Sequence, residues 1–338
     1  MSLRLLPWSP EFGAGLEAEV DDASPPAHEV DTSVELPDWR AITPAADMPD
    51  SLRIVDGVRR VEAHAMEADP TSTLSVGESV LGLFGTFAVG SVVLESGAPA
   101  RVEESNIRLE RCYLQTGGEP VERTIAAGRT ELRYRPRLAQ DAATPRDLVA
   151  VLNRAMLDEE GLLAAELARH GEALVIVDGP LRLRQPGRRA VGYVKRIHQW
   201  YVSATERALA AILGVGQRTP LFHIGGESGT ERYGWYARTA VLPAHFHALS
   251  GVVRMECTGT LPVAEAAKIA DEATVALPRL ASTLARDPRA PQNLLPVGAL
   301  EHTLTHRLGD RRWVRRLLIK SFAESEAKQV ATVSEVTS

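Results

Sequence analysis

The segment Ala173-Leu174-Val175-Ile176-Val177 constrains the fold of this chain more than any other stretch. It is apolar without interruption and closes on Asp178-Gly179-Pro180, so it reads as a short strand covered on both faces rather than one. Upstream, Thr144-Pro145-Arg146-Asp147 offers a cap with proline at the first helical position, which predicts a helix running to His170. Strands on both sides of a long helix predict a mixed α/β sheet. Earlier strands read at 52–57, ending in a turn, and at 60–66, 78–94, 107–114 and 123–134. Later ones read at 190–194, 220–224, 233–241 and 252–258, with helices at 201–213, 262–286 and 297–308 and an amphipathic piece at 311–322.

At 338 residues, 44% hydrophobic and 24% charged, the composition excludes a mainly disordered, collagenous or coiled-coil chain. No apolar run approaches the roughly 20 residues of a membrane span, and the first residues lack the apolar core of a signal peptide, so a cytoplasmic protein is expected. Cys112 and Cys257 lie far apart in apolar stretches and read as buried thiols. The net charge of −6 is uneven: residues 1–50 carry 11 Asp/Glu against Arg4 and Arg40, leaving 36 basic and 33 acidic residues for 51–338. The chain therefore divides into an acidic irregular arm (1–50), a mildly basic body (51–322) and a polar tail (323–338).

Two segments put a carboxylate after a buried strand: Ile54-Val55-Asp56-Gly57 and Ile176-Val177-Asp178-Gly179. Asp-Gly is a common turn dipeptide. If the two strands are neighbours, however, the carboxylates converge and repel unless a cation or proton sits between them, and hard oxygen donors favour Mg²⁺ or Mn²⁺. A third donor is sought on the intervening helix. At about 100° per residue, the apolar set Leu148, Val151, Leu152, Ala155, Met156, Leu162, Leu163 and Leu167 clusters near ~30°, with Glu159 at ~20°, Glu160 at ~120° and Glu166 at ~0°. Glu159 is thus the first choice and Glu160 the second, while a solvated helix segment is the plain alternative.

Basic residues follow the second Asp: Arg182, Arg184, Arg188, Arg189, Lys195 and Arg196, with no acid between 179 and 198. Such a run suits a phosphate-bearing substrate or forms a solvated hairpin. Trp200, Tyr201, Phe222, Tyr233, Trp235, Tyr236 and Phe246 gather beside Arg218, Arg232 and Arg238, which fits base stacking with single-stranded nucleic acid or an ordinary core. His302 and His306 form an i, i+4 pair on a late helix.

In this order the blocks resemble the NurA nuclease family. The resemblance rests on Ile54 to Gly57 and Val175 to Leu181, then Val191-Gly192-Tyr193-Val194-Lys195-Arg196, Gly216-Gln217-Arg218-Thr219-Pro220, Tyr233-Gly234-Trp235-Tyr236-Ala237-Arg238 and Ser250 to Glu256. The family's late Tyr-Pro element followed by His is altered, since 291–302 lacks the Tyr; His302 stands in the His role, with Glu301 as a rival. The resemblance implies a ribonuclease H-like sheet flanked by helices, with additional C-terminal strands and helices. It implies a DNA nuclease that uses one or two Mn²⁺ or Mg²⁺ ions on single strands and ends, with 5′-to-3′ trimming. Asp56, Glu159 (or Glu160) and Asp178 would hold metal, and His302 would ligate it or shuttle a proton. Lys195, Arg196, Arg218, Tyr236 and Arg238 would face DNA. A homodimer docked on a HerA-type hexameric ATPase in end resection and double-strand break repair is also implied. A non-catalytic DNA-binding adaptor and a small-molecule metal phosphohydrolase are the alternatives.

Overall fold

The computed structural model describes residues 3–5, 29–68, 79–181, 187–195, 197, 199–226, 230–243, 246–283, 285–286 and 290–336. In chain order the strands are β1 (Leu3–Leu5), β2 (Val30–Asp31), β3 (Ser51–Ala68), β4 (Ser79–Glu95), β5 (Arg101–Val102), β6 (Arg108–Gln115), β7 (Arg123–Ala127) and β8 (Thr130–Leu138). Helix α1 (Pro145–His170) follows, then β9 (Leu174–Asp178), β10 (Ala190–Val194), α2 (Ala204–Ile212), β11 (Phe222–Ile224), β12 (Arg232–Arg238) and β13 (Val252–Thr258). The chain closes with α3 (Val263–Leu280), α4 (Leu295–Arg307) and α5 (Arg311–Val336).

These strands form one mixed sheet in the order β2-β11-β12-β13-β10-β9-β3-β4-β6-β8-β7, with β1 added on β3 and β5 on β4. At its centre β9 runs parallel to both β3 and β10, whereas β3, β4 and β6 form an antiparallel meander. The sequence explains the parallel centre: Leu174, Val175 and Ile176 are fully buried because each face carries helices. Leu52, Ile54, Leu174 and Ile176 pack with Ile269, Leu277 and Val297 of α3 and α4. Val55, Val175 and Val177 pack on the other face with Leu148, Leu152 and Met156 of α1. Helix α1 begins where the sequence predicts, with a reciprocal Thr144–Asp147 capping box and Pro145 next to the cap. Its close approach to β4 needs Gly85, where a Cβ would lie 2.6 Å from Leu152 Cδ2.

Three expectations change. The strand at 52–57 does not end in a turn: β3 continues to Ala68, held by antiparallel pairing with β4 from Ser51↔Glu95 to Ala68↔Ser79. Tertiary pairing here overrides the turn preference of Asp-Gly. Second, the described part of the arm is tied down, with β2 on β11 and an Ile42–Arg218 bridge. Its anchor is Glu35, whose carboxylate binds the buried Arg218. Third, α5 runs unbroken from Arg311 to Val336, through most of the stretch read as a polar tail.

Candidate active site

Asp56 and Asp178 stand side by side. The last paired residues of β3 and β9 are Val55 and Val177, so the two aspartates occupy the next positions on adjacent parallel strands, which lie about 5 Å apart. Both belong to the face covered by α3 and α4, since Leu52 and Ile54, like Leu174 and Ile176, alternate onto that face. At Asp178 the chain leaves the sheet through Gly179, whose φ of +120° is a conformation that L side chains rarely adopt. Among the described residues β3 then has no strand on that side until β1 pairs with Ala65 to Glu67. The carboxylates therefore sit at the mouth of a gap in the sheet.

Asp56 is 7% exposed, and its Oδ2 has no hydrogen-bond partner. Burial pushes its carboxyl well above the usual carboxylate range; the charges of Asp178 and Glu301 add to this, and Lys195 and the Gly57 N–H oppose it. Asp178 forms an ion pair with the Lys195 ammonium, which also donates to Asn293 Oδ1 at 2.7 Å. Next to Asp178 on β10, the Tyr193 hydroxyl donates to the Gln292 carbonyl at 2.7 Å. Its acidity is suppressed by burial and then by Asp178. One polar centre thus joins the interior of β3, the end of β9, the segment before α4, and Glu301 on α4.

Of the two candidate helix acids, the one ranked second from the sequence is the more buried. Glu159 is 27% exposed and bound to Arg108 at 2.7 Å, with Glu166 on the same guanidinium. Glu160 is 2% exposed and lies against Gly57, where a Cβ would be 2.5 Å from its Oε1. Val149, Ala164 and Ala168, which lie outside that apolar set, are buried too and rotate the stripe toward Glu160. Gly57 follows Asp56 in a strand, so Glu160 approaches the gap from the opposite face of the sheet.

His302 is exposed, and its neighbour Glu301, half-buried, is the α4 residue whose charge reaches Asp56. Three expected DNA contacts are structural instead. Arg218 is 1% exposed and held by Glu35 at 2.7 Å and Asp271 at 2.6 Å. Arg238 is buried and donates to the carbonyls of Ala210, Ala211, Ala248 and Ser250, two of them at the C-terminus of α2. Tyr236 is fully buried, with ring centroids 4.7 Å from Trp200 and 5.4 Å from Phe222. In the basic run, Arg188 and Arg189 pair with Glu265 and Glu272 of α3, while Arg182, Arg184 and Arg196 lie outside the described residues. Asn293 escaped the sequence reading altogether; only its place just before the helix carrying Glu301 and His302 could have marked it.

Among the described residues no three His, Cys, Asp or Glu side chains are gathered closely enough to hold a metal ion as they stand. The donor chemistry nevertheless fits a hard divalent cation: carboxylates of Asp56, Asp178 and Glu301 on one face, an orphaned Oδ2, and an ammonium already lying on Asp178. Among the described residues no helix is long and apolar enough to cross a membrane.

Two comparisons bear on this centre. A search of curated proteins finds no match. The NurA domain matches residues 73–297, a span holding Glu160, Asp178, Lys195 and Asn293 but beginning after Asp56 and ending before Glu301. That span is well over half of the chain and runs from β4 through the first turn of α4, so the protein belongs to the NurA domain family, a family of nucleases.

Proposed function

We propose that the protein is a metal-dependent DNA nuclease of ribonuclease H-like architecture. The reading is carried by one observation: a buried Asp56 carboxylate with an unpartnered oxygen, next in register to Asp178 on the adjacent parallel strand. Family membership and the meander β6-β4-β3 continued by parallel β9 and β10 support it. Asp56, Asp178 and Glu301 would hold Mn²⁺ or Mg²⁺, with Glu160 reaching the gap from below. The ion would supply positive charge for a phosphodiester and for the water that attacks it. The chain's own residues do the rest: the apolar strands around Asp56 exclude bulk water, and Lys195 offers an ammonium to a phosphate beside Asp178. Single strands and DNA ends are the proposed substrates, trimmed 5′ to 3′, by a homodimer working with a HerA-type hexameric translocase in end resection and repair.

The test is degradation of end-labelled single-stranded DNA with Mn²⁺ and with chelator, beside a small phosphoester. Mn²⁺-dependent release of nucleotides, with the phosphoester untouched, is expected. Binding without cleavage would make the protein an adaptor, and turnover of the phosphoester alone would make it a small-molecule phosphohydrolase.

A further inference from the structure

Lys195 and Asn293 form an arrangement that the nuclease chemistry by itself does not require. Lys195 follows β10 directly, and its side chain, 20% exposed, bridges Asp178 and Asn293. Asn293 is 1% exposed, and its backbone carbonyl accepts the Ser282 N–H at 2.9 Å, so the residue that carries the Oδ1 acceptor is held by its backbone as well as by burial. The adjoining residue Gln292 is tied to β10 through the Tyr193 hydroxyl. The segment before α4 is therefore stitched to β10 at two neighbouring residues, and one of these stitches passes through the ammonium on Asp178.

A lysine that only needed to meet a phosphate would be cheaper to leave in solvent, where its long side chain keeps its rotamer freedom. Here the ammonium is immobilised on a carboxylate of the proposed metal site, and a second acceptor keeps it there. An ammonium and a divalent cation on one carboxylate oppose each other, and the coupling is reciprocal. We propose that Asn293 is a positioning residue that latches Lys195 onto Asp178, so that this ammonium is the site's resident cation and must be displaced before a divalent ion binds. The latch keeps the empty site from accumulating uncompensated negative charge and holds the ammonium within reach of an arriving phosphate. This inference rests on the nuclease reading above.

The experiment follows melting temperature against Mn²⁺ concentration for the parental protein, Asn293→Leu, Asn293→Asp, Lys195→Met and Asp178→Asn, with kcat and KM on single-stranded DNA measured in parallel. Removing the latch removes the competitor, so Asn293→Leu and Lys195→Met should reach half of their Mn²⁺ shift at about tenfold lower concentration, within the usual range of such couplings. Both should also lose kcat. Asn293→Asp keeps an acceptor for Lys195 and should recover kcat relative to Asn293→Leu. A purely structural Asn293 would lower the melting temperature in chelator and leave the Mn²⁺ midpoint unmoved. If Asn293→Leu fails to fold, Lys195→Met, altered at a partly exposed side chain, still reports the competition. A parental Mn²⁺ shift with unchanged or raised midpoints in the variants overturns the latch alone. An equal Mn²⁺ shift in the parental protein and Asp178→Asn overturns the metal site itself, and the latch with it.

Discussion

At the scale of residues, Asp56 illustrates both what sequence chemistry reveals and what it hides. That two carboxylates would converge was legible, because each follows an apolar strand core. That Gly57 lies within a strand was not, because Asp-Gly favours a turn locally and only the long pairing with β4 keeps β3 extended. Gly57 is needed for another reason, the Glu160 carboxylate packed against it. The raised pKa of Asp56 has a definite sign for stability. A carboxyl whose folded pKa exceeds its unfolded value of about 3.9 binds its proton more tightly when folded, so stability falls as pH rises through that window. Asp56→Asn should therefore melt above the parental protein at neutral pH in chelator, and the two should converge at acid pH; a lower melting temperature at neutral pH would mean that the charge is compensated. The cysteines give a second prediction. Burial pushes the Cys112 and Cys257 thiols up to about 12, so neither should react with a thiol reagent at neutral pH until the protein is denatured, which a labelling time course with and without denaturant would measure.

At the scale of elements, α1 and β9 were readable because capping chemistry and an unbroken apolar run are local signals. The choice between Glu159 and Glu160 was not, because the buried stripe of α1 also takes in Val149, Ala164 and Ala168, which only the packing against the sheet reveals. The aromatic and arginine blocks misled for a related reason: type and spacing suit nucleic acid, but burial decides their use. Arg218 joins the 29–50 segment, β12 and α3 through Glu35, an Ala237 bridge and Asp271. Arg218→Ala leaves those acids without their buried cation, and should cost about 3 kcal/mol in urea unfolding, near the low end for breaking a buried pair. The slope of log DNA affinity against log salt should stay as it was, because no phosphate contact is lost. A reduced slope with unchanged stability would return Arg218 to the DNA surface.

At the scale of the whole molecule, the mixed sheet and its helices were legible because apolar strands lie on both sides of a long capped helix. The role of the arm was not: its acidic composition resembles a solvated extension, whereas one of its acids, Glu35, neutralises an arginine 183 residues away. A chain beginning at Ser51 should consequently unfold at lower denaturant than the full chain, by at least as much as Arg218→Ala, and an unchanged midpoint would show the arm to be dispensable. The central claim is that the carboxylates at the mouth of the β3–β9 gap run a metal-dependent cleavage of DNA. It is tested most directly by Mn²⁺-dependent release of label from single-stranded DNA by the purified parental protein, Asp56→Ala and Asp178→Ala, each first shown to be folded. The account predicts cleavage by the parental protein and a loss of about a hundredfold or more, some 2.7 kcal/mol of transition-state stabilisation, in each variant; near-parental turnover by either variant would contradict it.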